Sequence, residues 1–371
     1  MSSSKVENGV PVFLSGEPFE RGYQQAKCCE SLTNSVKEAV KIRLQSCSEI
    51  FKQENVKRLI GEIKSFHLSR DPEIMEEING ISSGFGIEPD ELFNYLNVSI
   101  ASDYVLSIEG GEECTSFSVS RGSFGSLVAK NRDYRSEHIK IQKVFLHSDP
   151  SWEGRQMLCV GSLGSPGNFS SGMNSDGLAI ADTASRVRRY GIGCHRYFLL
   201  TRVLVRCSTV SEALSEISST PHAGGGTLTI ADSTGTIAVV ELGHEAQSFD
   251  IRREGWLART NHFVSEQLSK NTLTIPQLSK QVENSKARLA TLHKRLGQNK
   301  GEWNFKVLAK ILSYRGQFGG TALCRDGKDS LVPDHPTSQT ISGTIYDTSE
   351  KQIWFAAGLP GTVPWVNYSF S

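Results

Sequence analysis

The 371-residue sequence has no excess of charge of either sign, because its 40 basic residues equal its 40 acidic residues. A neutral chain has no overall field that would draw it to nucleic acid or to an anionic membrane. No apolar run reaches the roughly 18 residues that a membrane-spanning helix needs. We therefore expect neither a nucleic-acid partner nor a membrane partner. A small neutral or zwitterionic substrate fits this composition best.

The eight cysteines lack the spacing of a metal site or a redox motif. The sequence contains no Cys-x-x-Cys and no cysteine–histidine cluster of zinc-binding spacing. The opening Met-Ser-Ser-Ser-Lys-Val-Glu-Asn-Gly has no apolar stretch typical of a signal peptide. These features predict reduced thiols, a cytoplasmic protein, and no metal or cofactor.

The apolar pattern changes near residue 113. Before this point, apolar residues recur at helical spacing from Pro18 to Phe51, and prolines at 72 and 89 begin two further helical patterns, the second running toward Tyr104. An acidic, glycine-containing loop follows at 109–113. After it, the pattern becomes that of short strands, at 115–120, 126–131, 157–161 and 178–183.

The remainder of the chain alternates helical patterns with hairpins. Residues 227–232 and 236–241 predict one hairpin, and 344–347 with 352–356 predict another. Helical patterns lie at about 196–218 and 275–312. This order predicts an α+β fold with antiparallel sheets.

Cys114 stands where the helical pattern gives way to strands. A thiol is a nucleophile as thiolate, and a free α-amine on the same residue can accept its proton without a histidine. A chain that begins at Cys114 therefore has nucleophile and base in one residue. From spacing alone, a small buried core residue at a strand start is the other interpretation.

Several segments resemble the acyl-coenzyme A:isopenicillin N (6-aminopenicillanic acid) acyltransferase family of N-terminal-nucleophile hydrolases. Ser15-Gly-Glu-Pro-Phe-Glu-Arg-Gly-Tyr23 is similar to the opening segment of that family, and 76–84 to its second helix. Cys114-Thr115 stands where the family cuts its precursor. The family also includes the insect β-alanyl-dopamine hydrolase.

The resemblance implies roles for residues after Cys114. In Ala129-Lys-Asn-Arg-Asp133, it implies that Asp133 orients the new α-amine, with Lys130 and Asn131 as supporting residues. It places Asn174 in a turn before a pocket-lining strand, Thr183 to Ser185 beside the oxyanion, and the Asn261 amide in the oxyanion hole. A turn or strand role for Asp133 and Asn174 is the structural alternative.

Two arginines and one histidine complete the candidate site. Arg288, in a segment similar to the Asp-Ser-x-x-Arg run of the family, and Arg325 are each expected to hold a substrate carboxylate or to support Cys114. A structural salt bridge is the alternative for both. His262 suggests a cysteine–histidine pair, although an α-amine already supplies the base.

The resemblance implies a four-layer αββα sandwich of the N-terminal-nucleophile hydrolase type. Residues 1–113 would be a helical pro-segment that stays bound as the small subunit, and 114–371 the catalytic subunit. The expected activity is amide hydrolysis or acyl transfer through an acyl-enzyme on Cys114, on a small-molecule amide or acyl thioester. A homo-oligomer is compatible with this interpretation.

Three alternatives stay open. The family has glycine where this chain has Glu113, which makes slow or absent cleavage between Glu113 and Cys114 one alternative. Hydrolysis of N-acyl or β-alanyl amine conjugates is favoured over penicillin-type, acyl-coenzyme A-dependent transfer. The remaining alternative is a non-catalytic protein that uses the same pocket to bind a small ligand.

Overall fold

The computed structural model describes residues 7–107, 112–316, 321–327 and 339–370, so residues 109–111 of the acidic loop lie outside the description. Helices before residue 113 are α1 (Pro18–Cys28), α2 (Thr33–Ser46), α3 (Ser48–Phe51), α4 (Glu54–Arg70), α5 (Pro72–Phe85), α6 (Pro89–Leu96) and α7 (Val98–Tyr104). Later helices are α8 (Arg196–Arg206), α9 (Val210–Ser219), α10 (Glu266–Ser269), α11 (Ser279–Gln298) and α12 (Phe305–Leu312).

The strands form two sheets. In chain order they are β1 (Glu7–Asn8), β2 (Val12–Ser15), β3 (Glu113–Ser120), β4 (Ser126–Tyr134), β5 (Gln142–Ser148), β6 (Gln156–Ser162), β7 (Ser171–Asn174), β8 (Ala179–Thr183), β9 (Thr227–Ala231), β10 (Ile237–Leu242), β11 (Gln247–Arg252), β12 (Trp256–Arg259), β13 (Gln339–Asp347), β14 (Gln352–Ala356) and β15 (Val366–Ser369). One sheet has the order β1-β15-β14-β13-β4-β3-β12, and the other β11-β10-β9-β8-β7-β6-β5-β2.

Three apolar clusters join four layers. Val128 of β4 and Leu158 of β6 belong to a cluster between the two sheets. The outer face of the eight-stranded sheet packs against helices of the first half of the chain together with α8 and α9. The outer face of the seven-stranded sheet packs against α11 and α12. The α+β class and the αββα sandwich expected from the sequence are therefore confirmed.

The helical regions are more divided than their patterns predict. A continuous helix from Pro18 to Phe51 is wrong, because Cys29 leaves the helical conformation, with φ −130° and ψ 37°, and α1 to α3 replace it. The pattern at 196–218 likewise divides into α8 and α9, and the side chain of Thr209 caps the second helix. Periodicity persists across such breaks because both helices bury the same face.

The first 113 residues also contribute a strand to each sheet. β1 runs parallel to β15 in one sheet, and β2 runs parallel to β5 in the other. None of the helices in the described part of the chain combines the length and apolar composition that crossing a membrane requires. The segment before Cys114 is thus built into both sheets as well as the helical layer.

Two glycines allow α1 and α5 to cross at close range. A Cβ added to Gly80 would lie 2.0 Å from the Phe19 carbonyl oxygen, and one added to Gly22 would lie 2.1 Å from the Glu77 carbonyl oxygen. Backbone atoms cannot move aside as a flexible side chain can. Any larger residue must therefore separate the helices.

We expect Gly80→Ala to lower the free energy of unfolding by about 2–3 kcal/mol, because the new methyl group overlaps the α1 backbone. Gly61→Ala, in the exposed middle of α4, is the matched control, since no atom lies within 4 Å of its added Cβ. That control should raise stability by about 0.5–1 kcal/mol. Urea unfolding measures both values, and equal effects would contradict the close crossing.

Candidate active site

The pairing of β3 with β4 determines which side chains surround Cys114. Cys114 lies opposite Arg132, and Glu113 lies opposite Asp133. Alternate residues of a strand point to opposite faces. The Ser116 hydroxyl lies 2.8 Å from the Thr229 hydroxyl of the other sheet, so Cys114 and Ser116 face the space between the sheets. Glu113 and Asp133 face the α11–α12 layer instead.

The main chain of Cys114 is held by two side chains. Its N–H donates to Asn261 Oδ1 at 2.9 Å, and its carbonyl oxygen accepts from Arg288 Nη1 at 2.7 Å. Arg288 Nη2 also donates to Asn261 Oδ1, at 2.7 Å. Asn261 lies two residues after the end of β12, which pairs with β3, and Arg288 projects from α11. The structure therefore brings these three predicted residues together.

The amide nitrogen of Asn261 donates hydrogen bonds to two separate segments of the chain. Asn261 Nδ2 donates to the carbonyl oxygen of Ala184 at 2.8 Å and to that of Glu112 at 3.3 Å. Its own backbone N–H donates to the Ser285 hydroxyl at 2.8 Å. In the intact chain the proposed oxyanion donor is thus occupied by backbone carbonyls.

Burial raises the pKa of the Cys114 thiol to about 11. Lys130 lowers that pKa, Asp182 and Asp133 raise it, and a hydrogen bond from the Asp133 backbone lowers it. Lys130 Nζ donates to the Ser170 hydroxyl at 2.9 Å and forms an ion pair with Asp182. The thiol of the intact chain is therefore protonated at neutral pH. Among the described residues, no histidine hydrogen-bonds to it.

Asp133 is a fully buried carboxyl. Burial raises its pKa to about 6, although Arg288, the Thr340 hydroxyl and Lys130 lower it. Asp133 Oδ1 accepts from Thr340 at 2.6 Å, and Oδ2 lies 3.9 Å from Arg325 Nη1. Arg325 also forms an ion pair with Glu113. Asp133 and Arg325 therefore border the Glu113–Cys114 peptide on the face opposite the thiol.

A chain of ion pairs links Glu112 to Lys130. Glu112 Oε2 lies 2.6 Å from Arg196 Nη2, and Arg196 Nε lies 3.0 Å from Asp182 Oδ2. Burial raises the pKa of Asp182, but Lys130 and Arg196 together hold it below its usual value. The sequence did not indicate Glu112, Asp182 or Arg196 as site residues, because they belong to three separate segments.

Four predicted residues, Asn131, Asn174, Thr183 and Ser185, form no hydrogen bond to the thiol among the described residues. Asn131 Nδ2 donates to the Leu312 and Leu323 carbonyl oxygens, at 2.8 and 2.7 Å, and so anchors the end of α12. Asn174 Nδ2 donates to the Leu204 and Cys207 carbonyl oxygens, at 2.8 and 2.7 Å, at the end of α8.

Thr183 and Ser185 flank Ala184, the acceptor for Asn261. Thr183 is buried at the end of β8, and the Ser185 hydroxyl lies 3.4 Å from that of Thr227. Neither hydroxyl forms a hydrogen bond to Cys114 among the described residues. The part of this segment that reaches the candidate site is the backbone carbonyl of Ala184.

Histidine and possible metal ligands are otherwise engaged. Burial, with Lys286 and Arg288, lowers the pKa of His262 to about 4, and its Nδ1 lies 2.7 Å from the Ser285 hydroxyl. Elsewhere, His67, Asp71 and Cys194 place their ligand atoms within 4.8 Å of one another. Both nitrogens of His67 already have partners, because Nδ1 lies 3.2 Å from Asp71 and Nε2 accepts from the His195 N–H at 3.2 Å.

A pocket opens beside Cys114 on the face between the sheets and the first helices. Its lining includes Cys114, Glu112, Lys130, Arg43 and Arg132, with Tyr95, Tyr134, His138 and Tyr197 among the other residues. Arg43 was missed at the level of sequence, although its spacing from Val36 and Val40 places it on the buried face of α2. The pocket is consequently more cationic than the neutral composition of the chain indicates.

Replacing Asp133 tests the protonation of this buried carboxyl. Its folded-state pKa of about 6 exceeds the roughly 3.9 of an exposed aspartate, so its stabilising contribution is complete below pH ~4 and is lost as the pH rises through ~6. Both proteins carry Cys114→Ala. We expect the free energy of unfolding of the parent, minus that of the Asp133→Asn variant, to fall by about 2 kcal/mol from pH 4 to pH 7. Urea unfolding across this range measures the difference, and a constant difference would contradict the raised pKa.

Comparisons with known proteins identify the family. None of the curated proteins compared with the chain matches it. Solved structures give distant likenesses: a mutant of conjugated bile acid hydrolase from Clostridium perfringens (13% identity, TM-score 0.46, covering 65% of this chain and 88% of that one), and penicillin V acylase from Agrobacterium tumefaciens (15%, 0.43, 68% and 85%). A third is the Caenorhabditis elegans ortholog of N-acylethanolamine-hydrolyzing acid amidase (13%, 0.42, 64% and 93%). The model of the acyl-coenzyme A:6-aminopenicillanic acid acyl-transferase family matches residues 120–361, and the chain belongs to this family.

Proposed function

We propose that the chain is a self-processing cysteine N-terminal-nucleophile enzyme that acts on small-molecule amides, with hydrolysis favoured over acyl transfer. The main support is that Asn261 and Arg288 hold the backbone N–H and carbonyl of Cys114 rather than its thiol alone. A conventional thiol–histidine pair would need no such contacts to the main chain. An enzyme whose base is the α-amine of Cys114 needs that nitrogen to be oriented.

In the proposed cleavage, Cys114 Sγ attacks the carbonyl carbon of Glu113. The C–N bond breaks, the amide nitrogen takes a proton, and a thioester forms between Glu113 and the thiol. Water then hydrolyses this thioester, which leaves a carboxylate on Glu113 and restores the thiol. The products are a chain that ends at Glu113 and a chain that begins with the α-amine of Cys114.

Cleavage would change the groups around the thiol in two ways. The nitrogen that donates to Asn261 Oδ1 at 2.9 Å becomes an amine, which can accept the thiol proton. Withdrawal of the Glu112 carbonyl, now 3.3 Å from Asn261 Nδ2, leaves that N–H available to an oxyanion. After these changes the thiol would have a base that accepts its proton, and the Asn261 amide would be available to the oxyanion. Cys114 would then be an active nucleophile.

In turnover, Cys114 would attack the carbonyl of a substrate amide and release the amine. Water would then hydrolyse the acyl-enzyme. Lys130 is placed to stabilise the thiolate, since it lowers the thiol pKa, and Asp182 positions Lys130. Arg288 holds the Asn261 side chain and the Cys114 backbone in place through its hydrogen bonds to both. N-acyl or β-alanyl amine conjugates are the favoured substrates.

The proposed small subunit has many contacts that would outlast the cut. Arg21 forms ion pairs with Asp149, across the proposed cleavage site in sequence, and with Glu77. Gln25 Nε2 donates to the Ser165 carbonyl oxygen at 2.9 Å. Helices of the first 113 residues share one apolar core with α8 and α9. We therefore propose a heterodimer of 1–113 and 114–371.

The non-catalytic alternative has two specific observations in its favour. The Glu113 carboxylate is paired with Arg325, and the thiol pKa is raised to about 11, so the intact chain is well stabilised around the proposed cleavage site. A protein that stays uncut would retain Glu112 in the pocket and a protonated, unreactive Cys114. This alternative predicts a single chain.

Intact-mass spectrometry of freshly purified protein tests the proposal directly. We expect the wild type to give two fragments that separate between Glu113 and Cys114, because the thiol is the attacking group. Cys114→Ala should stay intact. Cys159→Ala, which removes a buried thiol of β6, is the matched control and should cleave as the wild type does. An intact wild type that also resists iodoacetamide at Cys114 would favour the binding protein.

We expect Asn261→Ala to slow amide hydrolysis by about 100-fold or more, because one oxyanion donor contributes on the order of 3–4 kcal/mol. It should also slow cleavage, because the Cys114 N–H loses the oxygen that holds it. Timed mass spectra measure cleavage after cell-free synthesis. The control is Asn367→Ala, which removes an amide that hydrogen-bonds to the side chain of Gln352 and to the backbone of Ile353 in β14. Rates equal to those of the control would remove Asn261 from the mechanism.

A further inference from the structure

The pocket beside Cys114 contains a carboxylate site that the chain itself fills. The Glu112 carboxylate accepts a hydrogen bond from Arg196 Nη2 at 2.6 Å and another from the Tyr197 hydroxyl. Arg196 and Tyr197 are both buried, and the guanidinium lies 4.2 Å over the tyrosine ring. Two buried donors therefore converge on one carboxylate, in the wall of the pocket that contains the nucleophile.

Positive charge predominates around this site once Glu112 is set aside. Arg43 and Arg132 line the same pocket, with guanidinium carbons 5.5 and 5.1 Å from the centre of the Tyr134 ring. Asp182 forms ion pairs with Lys130 and with Nε of Arg196. Asp133 borders the pocket too, but its carboxylate accepts from Thr340 on the other face. A neutral ligand in place of Glu112 would remove the charged acceptor of the Tyr197 hydroxyl and of Arg196 Nη2, both of which are buried.

Glu112 lies on the acyl side of the peptide bond that Cys114 is proposed to cut. The same sulfur would attack the Glu113 carbonyl during cleavage and the substrate carbonyl during turnover. An acyl group that extends from this carbonyl along the path of the chain therefore reaches Arg196 and Tyr197. Glu112 marks the position of a negative charge at the end of that path.

We propose that this enzyme hydrolyses amides whose acyl group ends in a carboxylate, which Arg196 and the Tyr197 hydroxyl bind in place of Glu112. The proposal rests on the proposed function and departs from the neutral or zwitterionic substrate that total composition favours. Water adds across the C–N bond, so the products are a dicarboxylate and a free amine. A suberoyl group has the same number of bonds between its carbonyl and carboxyl carbons as the path from the Glu113 carbonyl to the Glu112 carboxyl.

The first test compares suberoyl-4-nitroanilide with octanoyl-4-nitroanilide, which has the same chain length without the carboxylate. We expect cleaved wild-type protein to have a higher kcat/KM for the suberoyl amide. Tyr197→Phe should lower the ratio of the two kcat/KM values by roughly tenfold, because it removes one donor to the charged group. The matched control is Tyr190→Phe, which removes a hydroxyl of a partly buried tyrosine that donates to Asp103 at 2.7 Å, outside this pocket.

A second test reads the site without cleavage or catalysis. In a Cys114→Ala chain, Glu112→Gly removes the equivalent of one propionate from the site. We expect propionate to raise the melting temperature of this double variant and not that of Cys114→Ala, where Glu112 still occupies the site. Propionamide, the neutral analogue, should have no effect. Adding Tyr197→Phe should weaken propionate binding roughly tenfold.

The outcomes separate this proposal from the proposed function. An uncut wild type with propionate binding to the double variant would keep the carboxylate site and reject the self-processing enzyme. A cleaved, active enzyme that prefers octanoyl to suberoyl amide, or whose preference Tyr197→Phe leaves unchanged, would overturn the proposal. Equal stabilisation by propionate and propionamide would overturn it as well.

Discussion

The hydrogen bond from the Cys114 N–H to Asn261 Oδ1 joins the elements on which the candidate site depends. Asn261 is attached to the strand next to β3, Arg288 approaches from α11, and Ala184 lies at the end of β8 in the other sheet. One amide side chain therefore connects both sheets and an outer helix. A displacement of any of these layers would lengthen hydrogen bonds that converge on Cys114 or on Asn261.

The β3–β4 register divides the charges around the Glu113–Cys114 peptide between two faces. Lys130, Asp182, Arg196 and Glu112 belong to the face of the thiol, whereas Asp133, Arg325 and Glu113 belong to the other. A shift of one residue in β3 would turn the Cys114 thiol toward the helical layer and the Glu113 carboxylate toward the space between the sheets. The register is therefore as important for the chemistry as the identity of the residues.

Sequence reasoning predicted the fold class and most of the strands, and it singled out Asn261 and Arg288, which hold the Cys114 backbone in the structure. Strands were well placed because short β-type runs bounded by turn residues are local signals, as in β9 and β10. Helix breaks at Cys29 and Thr209 were missed, because the apolar face continues on both sides of each break. The ion pairs of Glu112, Arg196 and Asp182 depend on contacts between distant segments, which no local pattern contains. Asn131 and Asn174 matched the family pattern, but here their side chains hold the ends of helices.

β1 and β2 complete the edges of the two sheets, although both precede Cys114 in sequence. A cut before Cys114 would turn folding from a unimolecular reaction into a bimolecular one, because the two fragments would no longer be tethered. If the fragments separated, β5 would lose its partner β2, and its free edge could pair with other chains and aggregate. The lifetime of the cleaved protein would then depend on its rate of unfolding rather than on its ability to refold.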